Sequence, residues 1–240
     1  AMALPLPDAS FWRGRRVLVT GHTGFKGAWL CARLVAAGAR VTGIALAPAG
    51  VHNLWTAANL ARQVDSHIVD LRDPDGTERA VGAAAPDVVL HLAAQPIVRR
   101  GYREPVLTYA TNVMGTVHVL DALRRCATAR AVVIVTSDKV YADAPLPHGY
   151  AEDARLGGAD PYSGSKAAAE LAVETYRTAY FSGGRGPAVA SARAGNVIGG
   201  GDFSEDRLLP DFFRAMESGR EMIVRQPDAI RPWQHVLDPL

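Results

Sequence analysis

One stretch restricts this chain more than any other. The run Arg15-Arg16-Val17-Leu18-Val19-Thr20 is followed at once by Gly21-His22-Thr23-Gly24-Phe25-Lys26-Gly27. A short apolar run ended by glycine reads as a buried strand. From Phe25 onward Trp29, Leu30, Leu34 and Val35 fall at helical spacing, and Gly38 supplies the stop. A Gly-x-x-Gly-x-x-Gly turn between a strand and a helix lets the backbone approach a pyrophosphate closely. The helix start behind it offers free N–H groups and a positive dipole end. Strand, turn and helix together mark a dinucleotide site built from Gly21, Thr23, Gly24, Phe25, Lys26 and Gly27.

The rest of the chain repeats the same alternation. Strands are expected over 41–46, at Ile68-Val69, and over 87–92, 131–136 and 189–193. Helices are expected over 74–85, 104–126, 161–181 and 208–218. Continuous apolar strands alternating with helices predict a parallel sheet covered on both faces. With right-handed crossovers the fold class is α/β, a doubly wound Rossmann sheet. The loop over 142–160 is long for a compact domain, and loops of that kind often carry function.

Composition excludes several classes. Hydrophobic residues make up 48% and charged residues 21%, and 26 basic against 24 acidic residues leave +2. That balance fits neither a disordered chain nor a nucleic-acid footprint, and no basic run reaches five residues. No apolar run is long enough to span a membrane. Residues 1–10 lack the basic and apolar regions of a secretory leader. Cys31 and Cys126 suggest neither a disulfide framework nor a metal site, so a cytoplasmic location is expected. Among the basic residues only Lys26, Lys139 and Lys166 are lysines. A lysine kept where arginine is the habit points to what a compact ammonium does and a guanidinium does not.

Two clusters carry chemistry. Tyr162-Ser163-Gly164-Ser165-Lys166 puts a tyrosine and a lysine on one face of a helix. A tyrosine at its ordinary pKa of about 10 is a poor base, and a nearby ammonium stabilises the phenolate. Thr136-Ser137-Asp138-Lys139 ends the fifth strand, at the sheet edge where open α/β folds bind ligands. The ribose-binding acid usual after the second strand is missing, since Ala45-Leu46-Ala47-Pro48 stands there. The residues alone therefore do not select NAD over NADP. Asp70-Leu71, after the third strand, either meets the adenine or caps a turn. His91 reads as a satisfied near-core histidine.

These motifs, with His91-Leu92-Ala93-Ala94-Gln95-Pro96, Asn112-Val113-Met114-Gly115-Thr116, Asp160-Pro161-Tyr162-Ser163, Arg193 through Asp202, and Ile230-Arg231-Pro232-Trp233-Gln234-His235-Val236, resemble an extended short-chain dehydrogenase/reductase branch, the CDP-glucose 4,6-dehydratases. The likeness runs from about Phe11 to Leu240. It implies an NAD-dependent lyase acting on a sugar nucleotide, assembled as a homodimer or higher homo-oligomer. It assigns Tyr162 and Lys166 to oxidation at carbon 4, Ser137 to that oxygen, and Asp138 as acid to the departing hydroxyl. Lys139 is either the base at carbon 5, or a partner of Asp138, or a support for the cofactor. Ala93, Ala94 and Gln95 would lie along the cofactor. Asn196 would meet the sugar nucleotide and Arg231 its pyrophosphate. Family members continue beyond the Arg-Pro-Trp-Gln-His-Val motif. Residues 1–190 are thus expected to form the NAD-binding domain, and 191–240 the start of a smaller substrate domain cut short at its C-terminus. A sugar-nucleotide 4-epimerase shares the fold and the Tyr/Lys pair but needs no acid beside Ser137. A cofactor-sensing protein on the same fold would keep the glycine turn and could lose the Tyr/Lys pair.

Overall fold

The computed structural model describes residues 9–50, 52–142, 149–224 and 226–240. Its centre is strand β1, Arg16–Thr20. Side chains alternate across a strand, so Val17 and Val19 enter one core and Leu18 the other. All three are buried to within 1% of full burial, each worth about 1.5–3 kcal/mol. Strand β2 (Arg40–Ala45) pairs parallel on one side of β1 and β4 (Val88–His91) on the other. β3 (Asp65–Ile68), β5 (Ala131–Val135) and β6 (Ala188–Ala192) complete a parallel sheet of order β3-β2-β1-β4-β5-β6. The order reverses at β1, so β2 and β4 diverge there and open a crevice above their carboxyl ends.

Helix α1 (Phe25–Ala36) covers one face, with Leu30, Cys31 and Leu34 against Val17, Val19, Val41 and Trp55. On the other face α2 (Pro74–Ala84) and a helix over 105–124 bring Val81, Val119, Leu120 and Leu123 onto Leu18, Val89 and Val132. Helix α5 (Pro161–Ala179) adds Val173 to that core. Between α2 and α5 lie α3 (Val98–Arg103) and α4, the helix over 105–124. A further helix, α6, spans Leu208–Glu217, and β7 (Asn196–Ile198) pairs parallel with β8 (Trp233–His235) outside the main sheet. Among the described residues no helix is long and apolar enough to cross a membrane.

Departures from the sequence reading have physical causes. β3 covers Asp65-Ser66-His67-Ile68 rather than Ile68-Val69, and all four residues are exposed. An edge strand buries little, so its ladder with β2 forms without an apolar signature. The expected helix over 104–126 is not uniform. It runs Pro105–Tyr109, widens into a π turn at Ala110–Met114, and resumes as Gly115–Arg124. α3, β7 and β8 were not anticipated. Of the loop over 142–160, residues 143–148 lie outside the described ones, as do residues 1–8. Its flanks meet at Tyr141 and Leu156 in an antiparallel bridge.

Candidate active site

The register brings the strand ends level. Thr20 pairs with Ile44 on one side and His91 on the other, and His91 pairs with Ile134. The residues just past each strand end therefore line one cleft of about 1130 Å³. Ligand pockets commonly run 300–1,000 Å³, so this one has room for a second ligand beside a large first one.

The glycine turn forms one wall. A side chain at Gly27 would set its Cβ 2.0 Å from the Gly21 carbonyl oxygen. One at Gly21, at φ +74°, would meet the Ala93 backbone at 2.8 Å. Both positions need glycine so that β1, the turn and the loop after β4 can close together. Thr23 ties the turn to β2 by donating to the Leu46 carbonyl at 2.9 Å. The turn runs into the α1 N-terminus, and Gly24, Phe25, Lys26 and Gly27 there line the cleft. That cradle suits a pyrophosphate, so these residues fit a dinucleotide.

The other expected cofactor residues fall along the same cleft. Asp70 accepts from the Arg72 backbone N–H at 3.0 Å and pairs with the Arg72 guanidinium, so it caps its turn while lining the cleft. Leu71 is buried, and its carbonyl accepts from His118. Ala93 donates its N–H to Thr20 at 3.2 Å. Gln95 is buried with its amide committed internally, donating to Thr108 and accepting from the Ile97 N–H. His91 bonds Thr20 at 2.7 Å and Thr116 at 3.0 Å, and burial pushes it down to about 3, a neutral core histidine.

Facing this wall stands the Tyr/Lys helix. Asp160 caps α5, accepting from the N–H groups of Tyr162 and Ser163, and Pro161 pre-sets the first turn. That cap fixes where Tyr162 projects. Lys166, one turn on, donates to the Val135 carbonyl at 3.1 Å, so its ammonium is held at the end of β5. Burial, then the Lys26 charge, push Lys166 down to about 8 against Glu170. The lowering of Tyr162 expected from Lys166 is not what the geometry gives. Burial raises the phenol, while a hydrogen bond to Ser137 and the Arg207 charge oppose it. Lys166 spends its ammonium on the carbonyl. Ser137 donates to Asp138 at 3.1 Å and accepts from the Lys139 N–H at 3.2 Å. Tyr162, Lys166, Ser137, Asp138, Lys139 and Asn196 all line the cleft, and Arg231 lines it from an exposed position.

Four residues were given no role in the sequence reading, although two of them, Asn112 and Arg193, stand in motifs quoted there. Asn112, in the π turn, bonds the Gln95 carbonyl at 3.1 Å and Ser165 at 2.9 Å, locking the loop after β4 to α5. π turns often sit at functional sites. Glu170, four residues past Lys166, is buried and accepts from Thr136, Ser191 and, through two bonds, Arg193. Burial pushes its carboxyl up, but those bonds outweigh it and hold it below the ordinary value. Arg193 also donates to the Tyr141 hydroxyl and the Glu152 carbonyl, tying the loop after β5 to the sheet. Arg207 lines the cleft with its Nε buried and without a hydrogen-bond partner, held only loosely to Asp202 at 3.7 Å. The i, i+4 spacing from Lys166 could have flagged Glu170. The quoted motifs contain Asn112 and Arg193 without naming their partners, and nothing local flags Arg207.

Fold and site define a Rossmann-type protein with a dinucleotide cradle and a Tyr–Lys pair. The chain belongs to the NAD dependent epimerase/dehydratase family, which matches residues 17–239. It is 47% identical over 237 residues to the CDP-glucose 4,6-dehydratase of Salmonella typhimurium, covering 97% of this chain and 66% of that protein. Identity to the dTDP-glucose 4,6-dehydratase of Streptomyces griseus is 31%, over 92% of this chain and 66% of the relative. The chain thus spans just under two thirds of the length of these relatives. Among solved structures, the dTDP-glucose 4,6-dehydratase of Streptomyces venezuelae with NAD bound superposes at a TM-score of 0.78, with 27% identity over 93% of this chain and 69% of that one. The UDP-glucose 4-epimerase of Thermotoga maritima shares the fold at a TM-score of 0.81 and 24% identity, over 92% and 70% of the two chains.

Proposed function

We propose that this chain belongs to an NAD-dependent nucleotide-sugar 4,6-dehydratase that takes CDP-glucose and forms the 4-keto-6-deoxy sugar nucleotide. The observation that carries the reading is the convergence of Ser137-Asp138-Lys139 with Tyr162 and Lys166 in the cleft lined by the glycine turn. An epimerase has no use for an acid beside Ser137. The choice of CDP-glucose draws on the 47% relative.

Bound in the cradle of Gly21, Thr23, Gly24 and Gly27, NAD would supply a hydride acceptor for carbon 4 and a donor for carbon 6. Ser137 hydrogen-bonds the 4-oxygen and Tyr162 takes its proton. Lys166, anchored on the Val135 carbonyl one helical turn past Tyr162, lines the cofactor side of the cleft and is placed to hold the cofactor there. The ketone formed at carbon 4 acidifies the proton on carbon 5, for which Lys139 is the candidate base. Asp138 gives a proton to the hydroxyl leaving carbon 6. Positioned acid–base groups of this kind contribute ~10²–10⁴-fold each. Asn196 and Arg231 hold the nucleotide diphosphate, the latter through its guanidinium fork. Residues 191 and 192 complete β6 of the main sheet, and the segment after them, whose β7, α6 and β8 line the cleft outside that sheet, supports the start of a substrate domain there.

The exposed apolar residues Tyr102, Val106, Tyr109 and Leu171 on α3, α4 and α5 support a homodimer through that face. Two unpaired cysteines fit a reducing, cytoplasmic compartment. Incubating the full-length protein with CDP-, dTDP-, UDP- and GDP-glucose tests the substrate. A 4-keto product from CDP-glucose without net consumption of NAD is expected. Product only from another nucleotide, or epimerisation without dehydration, refutes the reading.

A further inference from the structure

We infer that Lys26, although it sits in the glycine turn, serves the substrate and not the dinucleotide: its ammonium donates to a hexose oxygen beside Asp138, where elimination builds negative charge.

The direction of the side chain comes from its helix. Lys26 shares one face of α1 with Trp29 and Arg33, three and seven residues on. Trp29 donates to the Gly200 carbonyl at 2.9 Å and meets the His235 ring edge-on at 6.1 Å, and Arg33 donates to the Leu237 carbonyl at 3.3 Å. That face is therefore turned toward the segment carrying β7 and β8. Helical side chains lean back toward the N-terminus, so the Lys26 stem is aimed past the turn into the cleft it lines.

Its electrical surroundings agree. Beyond burial, the charges acting on Lys26 are Arg207, which pushes its amine below the ordinary value, and Asp138, which pulls it up. The Lys26 charge in turn acts on Lys166. Asp138, Lys166 and Arg207 belong to the reacting end of the cleft. Asp70 and Arg72, at the adenine end, do not figure. Among the described residues no hydrogen bond or ion pair engages the Lys26 ammonium, so its donors are free for a ligand.

Composition adds an independent argument. The chain has three lysines, and all three line this one cleft. Lys139 stands beside Asp138 and Lys166 behind Tyr162, which leaves Lys26 to close the third side. A compact ammonium reaches a single sugar oxygen there, whereas a planar fork is matched to a phosphate or carboxylate. No bond or proton changes at Lys26. It contributes fixed positive charge as the hydroxyl departs.

This rests on the dehydratase reading, and the experiment separates the two. In the full-length protein, Lys26→Met and Lys26→Arg are compared with wild type. NAD affinity is followed by tryptophan fluorescence, and kcat/KM for CDP-glucose is measured at saturating NAD. Both variants should bind NAD within about threefold of wild type. The loss in kcat/KM should be about 10²-fold for Lys26→Met, the range for removing one donor aimed at developing charge, and smaller for Lys26→Arg. A tenfold or greater loss of NAD affinity, or unchanged kcat/KM, overturns the inference. If wild type itself leaves CDP-glucose unconverted, the dehydratase reading fails, and the NAD titration decides the side on which Lys26 acts. If Lys26→Met does not fold, Lys26→Arg carries the same two measurements.

Discussion

Glu170→Ala removes the hub of the polar cluster behind the Tyr/Lys helix. The carboxylate is 6% exposed and accepts from Thr136, Ser191 and both Nε and Nη2 of Arg193. Alanine leaves a mostly buried guanidinium without its counter-charge and two hydroxyls without their acceptor. Breaking a buried pair by removing one partner costs about 3–5 kcal/mol. Arg193 keeps its bonds to Tyr141 and Glu152, so the lower end of that range, about 3 kcal/mol, is expected. Against a total of about 5–15 kcal/mol this is a large fraction. The assay is equilibrium urea unfolding, where an m-value of about 2–3 kcal/mol/M turns the loss into a midpoint shift of roughly 1 M. The pH dependence comes from the same bonds. Glu170 titrates below its ordinary 4.5 when folded, so its stabilisation is fully present above that value and fades as pH falls through the lower folded value. Wild type and Glu170→Ala should therefore converge in stability on acidification below about 4.5. Replacing both partners, as Glu170→Leu with Arg193→Met, should cost less than the two single changes together. A midpoint shift under about 0.2 M, or a gap between the two proteins that stays constant down to pH 3, would refute the argument.

Tyr162→Phe keeps the ring packed at the head of α5 but removes the base, so turnover should fall by ~10² or more with NAD binding retained, read by steady-state kinetics and cofactor titration. Asp138→Asn should let oxidation at carbon 4 proceed while elimination stalls, so reduced cofactor should accumulate and absorb in the near ultraviolet; no reduced cofactor would place Asp138 in the oxidation step. Gly27→Ala puts a methyl 2.0 Å from the Gly21 carbonyl oxygen, a clash with backbone that no rotamer relieves, and NAD binding should be lost by fluorescence titration. Cys31 is buried and its thiol is pushed up to about 12 by that burial, so maleimide labelling should be slow in the native protein and fast in urea.

Much that is local in this protein could be read along the chain, although α3 and the π turn were not. The strand-turn-helix at Arg16 to Gly27 and the Tyr162/Lys166 face are written in spacings of one to four residues, because backbone sterics and helical pitch act over that range. The alternation of apolar runs with helices likewise implied the parallel sheet. Contacts that join distant segments were another matter. His22 fits under β2 only because position 43 is glycine, where a Cβ would lie 2.3 Å from its ring. Glu170, within α5, finds Arg193 just past the end of β6, and Asn112, in the π turn of the helix over 105–124, reaches Ser165 on α5. The edge strand β3 forms from polar residues because its partner offers a ladder, not because its own pattern asks for one. Nor does the motif around Lys26 say which way that side chain leans; the packing of Trp29 and Arg33 against the C-terminal segment decides it. Periodicity encodes which face of an element is buried, whereas the neighbour that meets that face depends on sheet order and crossing geometry, which only the packed chain as a whole determines.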